Sequence, residues 1–272
     1  GNKTSKGRAI QNLINIEPDD RIKAYICVND LKDEDYVNSN FIVMCTKKGI
    51  IKKTSLEAYS RPRTNGINAI NINDGDELLE AKLTNGENEI IMAKKSGYAI
   101  RFNESTVRTV GRNSIGVKGV KFKSDDDEVV GMICVENDTK NTILVVSENG
   151  YGKRSYLNDP ETGEATYRVT NRGGVGVKTM SVTEKTGSLI AIKNVTDEDD
   201  LMIITKSGIT IRFDLSTIRV MGRTAQGVRM ITLKKNGEIA AVAKVPKGDE
   251  DEEEVEGLTE DGIENASSNE EE

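Results

Sequence analysis

The 272-residue chain contains no histidine. That removes Ser-His-Asp and Cys-His nucleophilic catalysis and every histidine-ligated metal site. Its three cysteines, Cys27, Cys45 and Cys134, are too far apart for a zinc motif. They lie in apolar runs and read as reduced core residues of a reducing cytoplasm. The acidic clusters Asp74-Gly75-Asp76-Glu77 and Asp125–Glu128 lack the ligand spacing of a calcium loop and read as polar turns. Gly111 to Lys118 approaches a phosphate-binding loop. However, Val117 separates Gly116 from Lys118, no Ser or Thr follows, and a strand rather than a helix comes next. No apolar run approaches the ~18 residues of a membrane helix, and no signal peptide or lipidation motif is present. Sustained helical periodicity is missing too, the brief stretch Leu56–Ser60 being the one helix-like candidate.

What the chain does have is a repeat. Residues 97–118 and 208–229 are identical at eleven of twenty-two positions, including Arg101/Arg212, Arg108/Arg219 and Arg112/Arg223. Weaker copies fill the interval. Turns recur at Gly49, Gly97, Gly150 and Gly208, at steps of 48, 53 and 58 residues. Apolar runs precede them (FIVMCT, EIIMA, TILVVS, LMIIT), and a cation follows four residues later: Lys53, Arg101, Arg154 and Arg212. A second glycine (Gly66, Gly116, Gly176, Gly227) opens another apolar stretch, and a last strand closes each unit. X-Gly between Ile/Val-rich runs is a hairpin signal. Four short strands at a period near 50 predict an all-β, propeller-like array of four-stranded blades. The expected units are a partial one at 1–37, then 38–85, 86–137, 138–196 and 197–247, about five in all. Because the chain opens in mid-unit, the rest of the first unit is expected to precede residue 1.

Charge is distributed unevenly. Residues 248–272 carry 13 Asp or Glu and no Lys or Arg, which leaves 32 acids against 38 bases in 1–247, a formal +6. The tail lacks the apolar content to fold alone and is expected to be disordered. It reads either as a solubilising extension or as a nucleic-acid mimic that competes for basic residues at high effective concentration. The bases repeat with the units: Lys53, Arg101, Arg154 and Arg212 after the hairpin glycine; Arg61, Arg63, Arg108, Arg112, Arg168, Arg172, Arg219 and Arg223 before the second; Lys118, Lys178 and Arg229 after it; Lys3, Lys6 and Arg8 in the partial first unit. Any one of them could merely solvate a strand or blunt an edge. Together they predict one cationic rim that contacts the phosphates of a bent duplex, fixing position without reading sequence. Aromatics make up only 4% of the chain, which argues against single-strand binding by base stacking. Charge reversal of Arg101 with Arg212 is therefore expected to weaken duplex binding while sparing the fold.

The pattern IRFxxSxxRxxGRxxxGVxx, the run ENGYGKRSYL at 148–157 and KGRAIQNL at 6–13 together resemble the C-terminal DNA-wrapping domain of the bacterial DNA gyrase A subunit. The resemblance covers about residues 1–247. It implies a β-pinwheel, a propeller variant whose blades exchange strands with their neighbours. It implies double-stranded DNA as partner, wrapped in support of supercoiling, and an A2B2 assembly with the remainder of the gyrase A subunit and with the gyrase B subunit. It also implies no membrane and a cytoplasmic, nucleoid-associated location. No reaction or cofactor is assigned to this chain, ATP and Mg2+ being implied only for the parent topoisomerase, an isomerase. The family's Q-R-R-G-G-x-G motif is absent; Arg172-Gly173-Gly174 matches part of it in a different unit. Two alternatives stand beside this reading. One is the corresponding domain of topoisomerase IV, which orients DNA crossings. The other is a propeller that scaffolds proteins.

Overall fold

Four hairpins form where the apolar runs meet the recurring glycines. They are β1 (Phe41–Thr46) with β2 (Ile50–Ser55), β4 (Glu89–Lys94) with β5 (Tyr98–Asn103), β8 (Thr142–Ser147) with β9 (Tyr151–Tyr156), and β12 (Asp199–Thr205) with β13 (Thr210–Asp214). Gly49, Gly97, Gly150 and Gly208 turn them at φ of 80°, 81°, 78° and 86°, a region that costs a side chain dearly. The structure is a computed structural model that describes residues 20–136, 141–233 and 237–247, together with Asn12.

A third strand pairs with the first strand of each hairpin: β3 (Leu78–Thr84), β7 (Val129–Val135), β11 (Leu189–Val195) and β15 (Ile239–Pro246). The fourth comes from the following unit. β6 (Val117–Lys118) adds to β2, β10 (Val177–Lys178) to β5, and β14 (Val228–Arg229) to β9. The sheets therefore read β3-β1-β2-β6, β7-β4-β5-β10, β11-β8-β9-β14 and β15-β12-β13. They stand as blades of a propeller-like ring. Blades are apolar on both faces, so successive residues feed different cores. Ile90 and Met92 pack with Val43, Cys45 and Ile51 on one side of β4, while Ile91 and Ala93 pack with Ile143 and Val145 on the other. Leu144 and Val146 then meet Leu201 and Ile203 across the next boundary. Each unit can bury its faces only against neighbours, the condition for an array.

Strand exchange explains the second glycine. A Cβ on Gly176, which has φ +80°, would stand 2.2 Å from the Ala99 carbonyl oxygen; on Gly116 and Gly227 it would stand 2.5 Å from the carbonyls of Ile51 and Gly152. Gly176→Ala is expected to lower stability by about 3 kcal/mol or more, since a strained φ and a backbone clash coincide. An unchanged urea midpoint would contradict the exchange geometry.

Several expectations need correction. The stretches after the second glycine form ladders of only two residues, and none is assigned after Gly66. Past the two paired residues the chain turns inward, as the Gly49 carbonyl accepts from the amides of Gly119 and Val120, and Val120 is buried. Among the described residues four sheets form, one for each complete unit, and much of the partial unit expected at 1–37 lies outside them. The described part of the first unit contributes Ala24, Ile26 and Val28, packed around Ile42, Met44 and Leu56. An α-helix, α1 (Glu34–Ser39), was not legible; Asp33 caps it by accepting from the Tyr36 amide, but six residues are too few to show a period. Leu56–Tyr59 is a single 3-10 turn. Cys45 is buried and Cys134 half-buried, as core residues, but Cys27 is exposed. The acidic tail at 248–272 lies outside the described residues.

Candidate nucleic-acid interface

The exchanged segment places cations on the outer edge of each blade. Before its glycine, the loop of one unit runs alongside the outer strand of the preceding unit. Thr109 bridges Lys53, Val169 bridges Arg101 and Val220 bridges Arg154, all in parallel. The amides of Val110, Thr170 and Met221 donate to the carbonyls of Lys53, Arg101 and Arg154 at 2.9, 2.9 and 2.8 Å. Arg108, Arg168 and Arg219 sit one residue before these bridges, and all three are exposed. Further along the same edges, Lys118, Lys178 and Arg229 pair with Ile50, Tyr98 and Tyr151 and are exposed as well. Three successive blades thus present the same two cations at the same register.

The loop arginines between these positions serve a different purpose. Arg112 donates to the Asn68 carbonyl (2.9 Å), Arg172 to the carbonyls of Thr106 and Lys118 (3.0 Å each), and Arg223 to the Lys178 carbonyl. Each half-buried guanidinium ties its loop to the loop of the preceding unit. With five donors apiece, they retain hydrogen-bonding capacity toward solvent. Arg63, exposed, and Arg112 line a rim cavity of about 280 Å³.

The hairpin cations are not where the sequence reading put them. Lys53, Arg101 and Arg154 are 6%, 3% and 3% exposed. Lys53 stands 3.6 Å from the Glu104 carboxylate and over the Phe41 ring. Arg101 donates to Glu89 (2.7 Å), Asn158 (2.9 Å) and the Tyr167 carbonyl (2.8 Å). Arg154 donates to Thr142 (2.9 Å) and the Leu215 carbonyl (2.7 Å) and pairs with Asp197. Every one of these reaches into the next unit, and that is why the offset recurs. A buried, paired cation cannot also neutralise a phosphate. Arg212, in the last unit, pairs with Asp200 at 2.5 Å and stays half exposed. The charge reversal at Arg101 and Arg212 is therefore no test of binding, since it would break the fold at Arg101. Lys6 and Arg8 lie outside the described residues.

Sequence reasoning missed two features. Lys52 and Lys153 are buried beneath the rim loops. Lys52 donates to the Ala69 and Arg112 carbonyls, and Lys153 to those of Gly222 and Arg223. Burial, then the charge of Arg112 or Arg223, pushes each ammonium down to about 8. Both sit three residues past a hairpin glycine, but the same offset holds Ile100 and Ile211 in the other two units, so no cation recurs there in every unit. The second feature is cations over tyrosines. Lys123 lies 4.2 Å from the Tyr98 ring centroid and draws the phenol below its usual value. Arg229 and Lys185 flank Tyr151 at 5.3 and 5.5 Å and line a cavity of about 380 Å³. A Gly-Tyr pair at two of the four hairpin turns was the available signal. Among the described residues no group of three or more His, Cys, Asp or Glu is placed to hold a metal ion. Among the same residues no helix is long and apolar enough to cross a membrane.

Strand-exchanged blades in a ring, with cations repeated along the outer edge, define a β-pinwheel-type propeller. Residues 40–85, 88–136, 141–159, 162–196 and 199–246 match the family described as DNA gyrase C-terminal domain, beta-propeller. The DNA gyrase A subunit of Staphylococcus aureus (strain MRSA252) is 42% identical over 264 residues, covering 96% of this chain and 28% of that protein. Among solved structures, the C-terminal domain of DNA topoisomerase IV aligns with a TM-score of 0.77 at 26% identity, over 88% of this chain and 71% of that one. The DNA gyrase A C-terminal domain aligns with a TM-score of 0.74 at 25% identity, over 89% and 76%. The chain belongs to the DNA gyrase C-terminal domain family. It spans under a third of the length of the gyrase subunits it matches.

Proposed function

We propose that this chain binds duplex DNA along its outer rim and bends it, without reading sequence, in support of supercoiling by a gyrase. The observation that carries the reading is the register-matched exposure of Arg108, Arg168 and Arg219 and of Lys118, Lys178 and Arg229 on three consecutive blade edges. Exposed cations at a fixed spacing on a convex edge suit phosphates on a curved backbone. Arg63 and the spare donors of Arg112, Arg172 and Arg223 would extend the contact. On this reading the chain supplies binding and no chemistry and needs no cofactor. ATP, Mg2+, the remainder of the gyrase A subunit and the gyrase B subunit belong to a parent type II topoisomerase in the bacterial cytoplasm. If six rim cations each neutralise one phosphate, log K falls by about 0.9 per tenfold rise in salt for each, and affinity drops about 10³-fold between about 50 and 200 mM salt. A duplex titration with a flat salt response would overturn the proposal and favour a protein-scaffolding propeller. A second reading, orientation of DNA crossings as a topoisomerase IV domain, draws support from the 0.77 TM-score. A DNA topology assay that finds no chiral wrap would favour it.

A further inference from the structure

The ring has a second basic feature, away from the rim. The C-terminal halves of β3, β7, β11 and β15 enclose a central cavity of about 500 Å³. Lys82, Lys193 and Lys244 line it from three different blades, together with Asn194 and Cys134, and no carboxylate does. Glu80 stands 2.8 Å from the Lys82 ammonium and Asp199 3.5 Å from that of Lys244. Lys193 has no ion pair among the described residues, and the Asn194 Oδ1 is buried without a partner. At the opposite mouth, where the inner strands begin, Lys47 and Lys95 are offset by Glu128 and Glu148 around a smaller cavity of about 230 Å³. Lys82 and Lys244 each have one carboxylate beside them and Lys193 has none among the described residues, so a net positive charge remains at this mouth, whereas the opposite one is balanced.

β15 ends at Pro246, two residues past Lys244, so the chain leaves the ring at that same mouth. Directly after Gly248 comes Asp249-Glu250-Asp251-Glu252-Glu253-Glu254, six acids without interruption. We propose that this run docks on Lys82, Lys193 and Lys244 in the mouth of the central channel. Extended chain covers ~3.4 Å per residue, so a few residues reach from Lys247 to the other blades. The tether supplies an effective concentration near millimolar, enough for ion pairs that are individually weak. A free polyanion would have to compete with it. Docked there, the run keeps its charge away from the rim cations, contrary to a tail that mimics nucleic acid on the rim.

Zero-length carbodiimide crosslinking of the intact chain, mapped by mass spectrometry, tests the proposal without DNA and so stands apart from the rim reading. The expected links join carboxylates of 249–254 to Lys193 and Lys82, on blades other than the one that carries the tail. Lys193→Arg should remove its own link and leave that to Lys82. Lys193→Gln should lower the Lys82 link by about threefold, with circular dichroism confirming that both variants fold. Links to the rim residues Lys118 or Lys178 in place of Lys193 and Lys82, or no links across blades, would overturn it.

Discussion

Arg101→Ala is expected to destabilise the chain by about 3–5 kcal/mol, the cost of breaking a buried ion pair from one side. The guanidinium is 3% exposed and bridges two units, from Glu89 in its own blade to Asn158 and the Tyr167 carbonyl in the next. Truncation strands a largely buried carboxylate and leaves a carbonyl without this donor, and each is penalised more than the lost bond itself. Arg212→Ala removes the residue at the same repeat position and should cost less, about 1–3 kcal/mol, because its guanidinium is half in water and only the Asp200 carboxylate, 10% exposed, is left without this partner. Urea unfolding of both variants at neutral pH provides the comparison. Equal losses at the two sites would mean that the inter-blade bonds of Arg101 add nothing.

The rim should behave in the opposite manner. Replacing Arg108, Arg168 and Arg219 together by Gln is expected to leave the unfolding midpoint nearly unchanged, since exposed side chains seldom matter by more than about 0.5 kcal/mol each. Duplex affinity at low salt should fall about 10–100-fold, the product of three exposed ionic contacts. The slope of log K against log salt should become shallower by about 3, one near-unit step per lost phosphate contact. The loss should be the same for duplexes of any sequence, because phosphate contacts carry no base information. A triple variant that retains the parental slope would remove these arginines from the interface. The two experiments dissociate stability from binding: a residue of the first kind moves the midpoint, one of the second moves the slope.

That dissociation is also where the repeat misled. A cation four residues after each hairpin glycine recurs in Lys53, Arg101, Arg154 and Arg212, and recurrence suggested a repeated ligand. The repeated environment is the boundary between blades, met identically by every unit that has a successor. Among the described residues no following unit packs over Arg212, and its side chain is half exposed. Burial of a side chain depends on what packs over it from another unit, and spacing along the chain does not report this. Arg108 and Arg112 illustrate the same limit over four residues. One points outward beside the Thr109 bridge, while the other is engaged by the Asn68 carbonyl.

Local chemistry was enough to set the hairpins, because Ile/Val runs flanking a glycine with positive φ have few other ways to satisfy their backbones. The runs are apolar at consecutive positions, but that both faces of their strands are buried emerged only with the neighbouring blades in place. Strand exchange was carried by the family resemblance, and only the assembled ring showed how little of each donated segment forms a ladder. The division of the cations into inter-blade ties, loop staples and an exposed rim belongs to tertiary structure alone. So does the gathering of Lys82, Lys193 and Lys244 at one mouth of the channel, from strands far apart in the chain. The physical reason is common to both: backbone hydrogen bonding and apolar patterning act over a few residues, whereas desolvation and charge pairing are settled only by which distant surfaces close on one another.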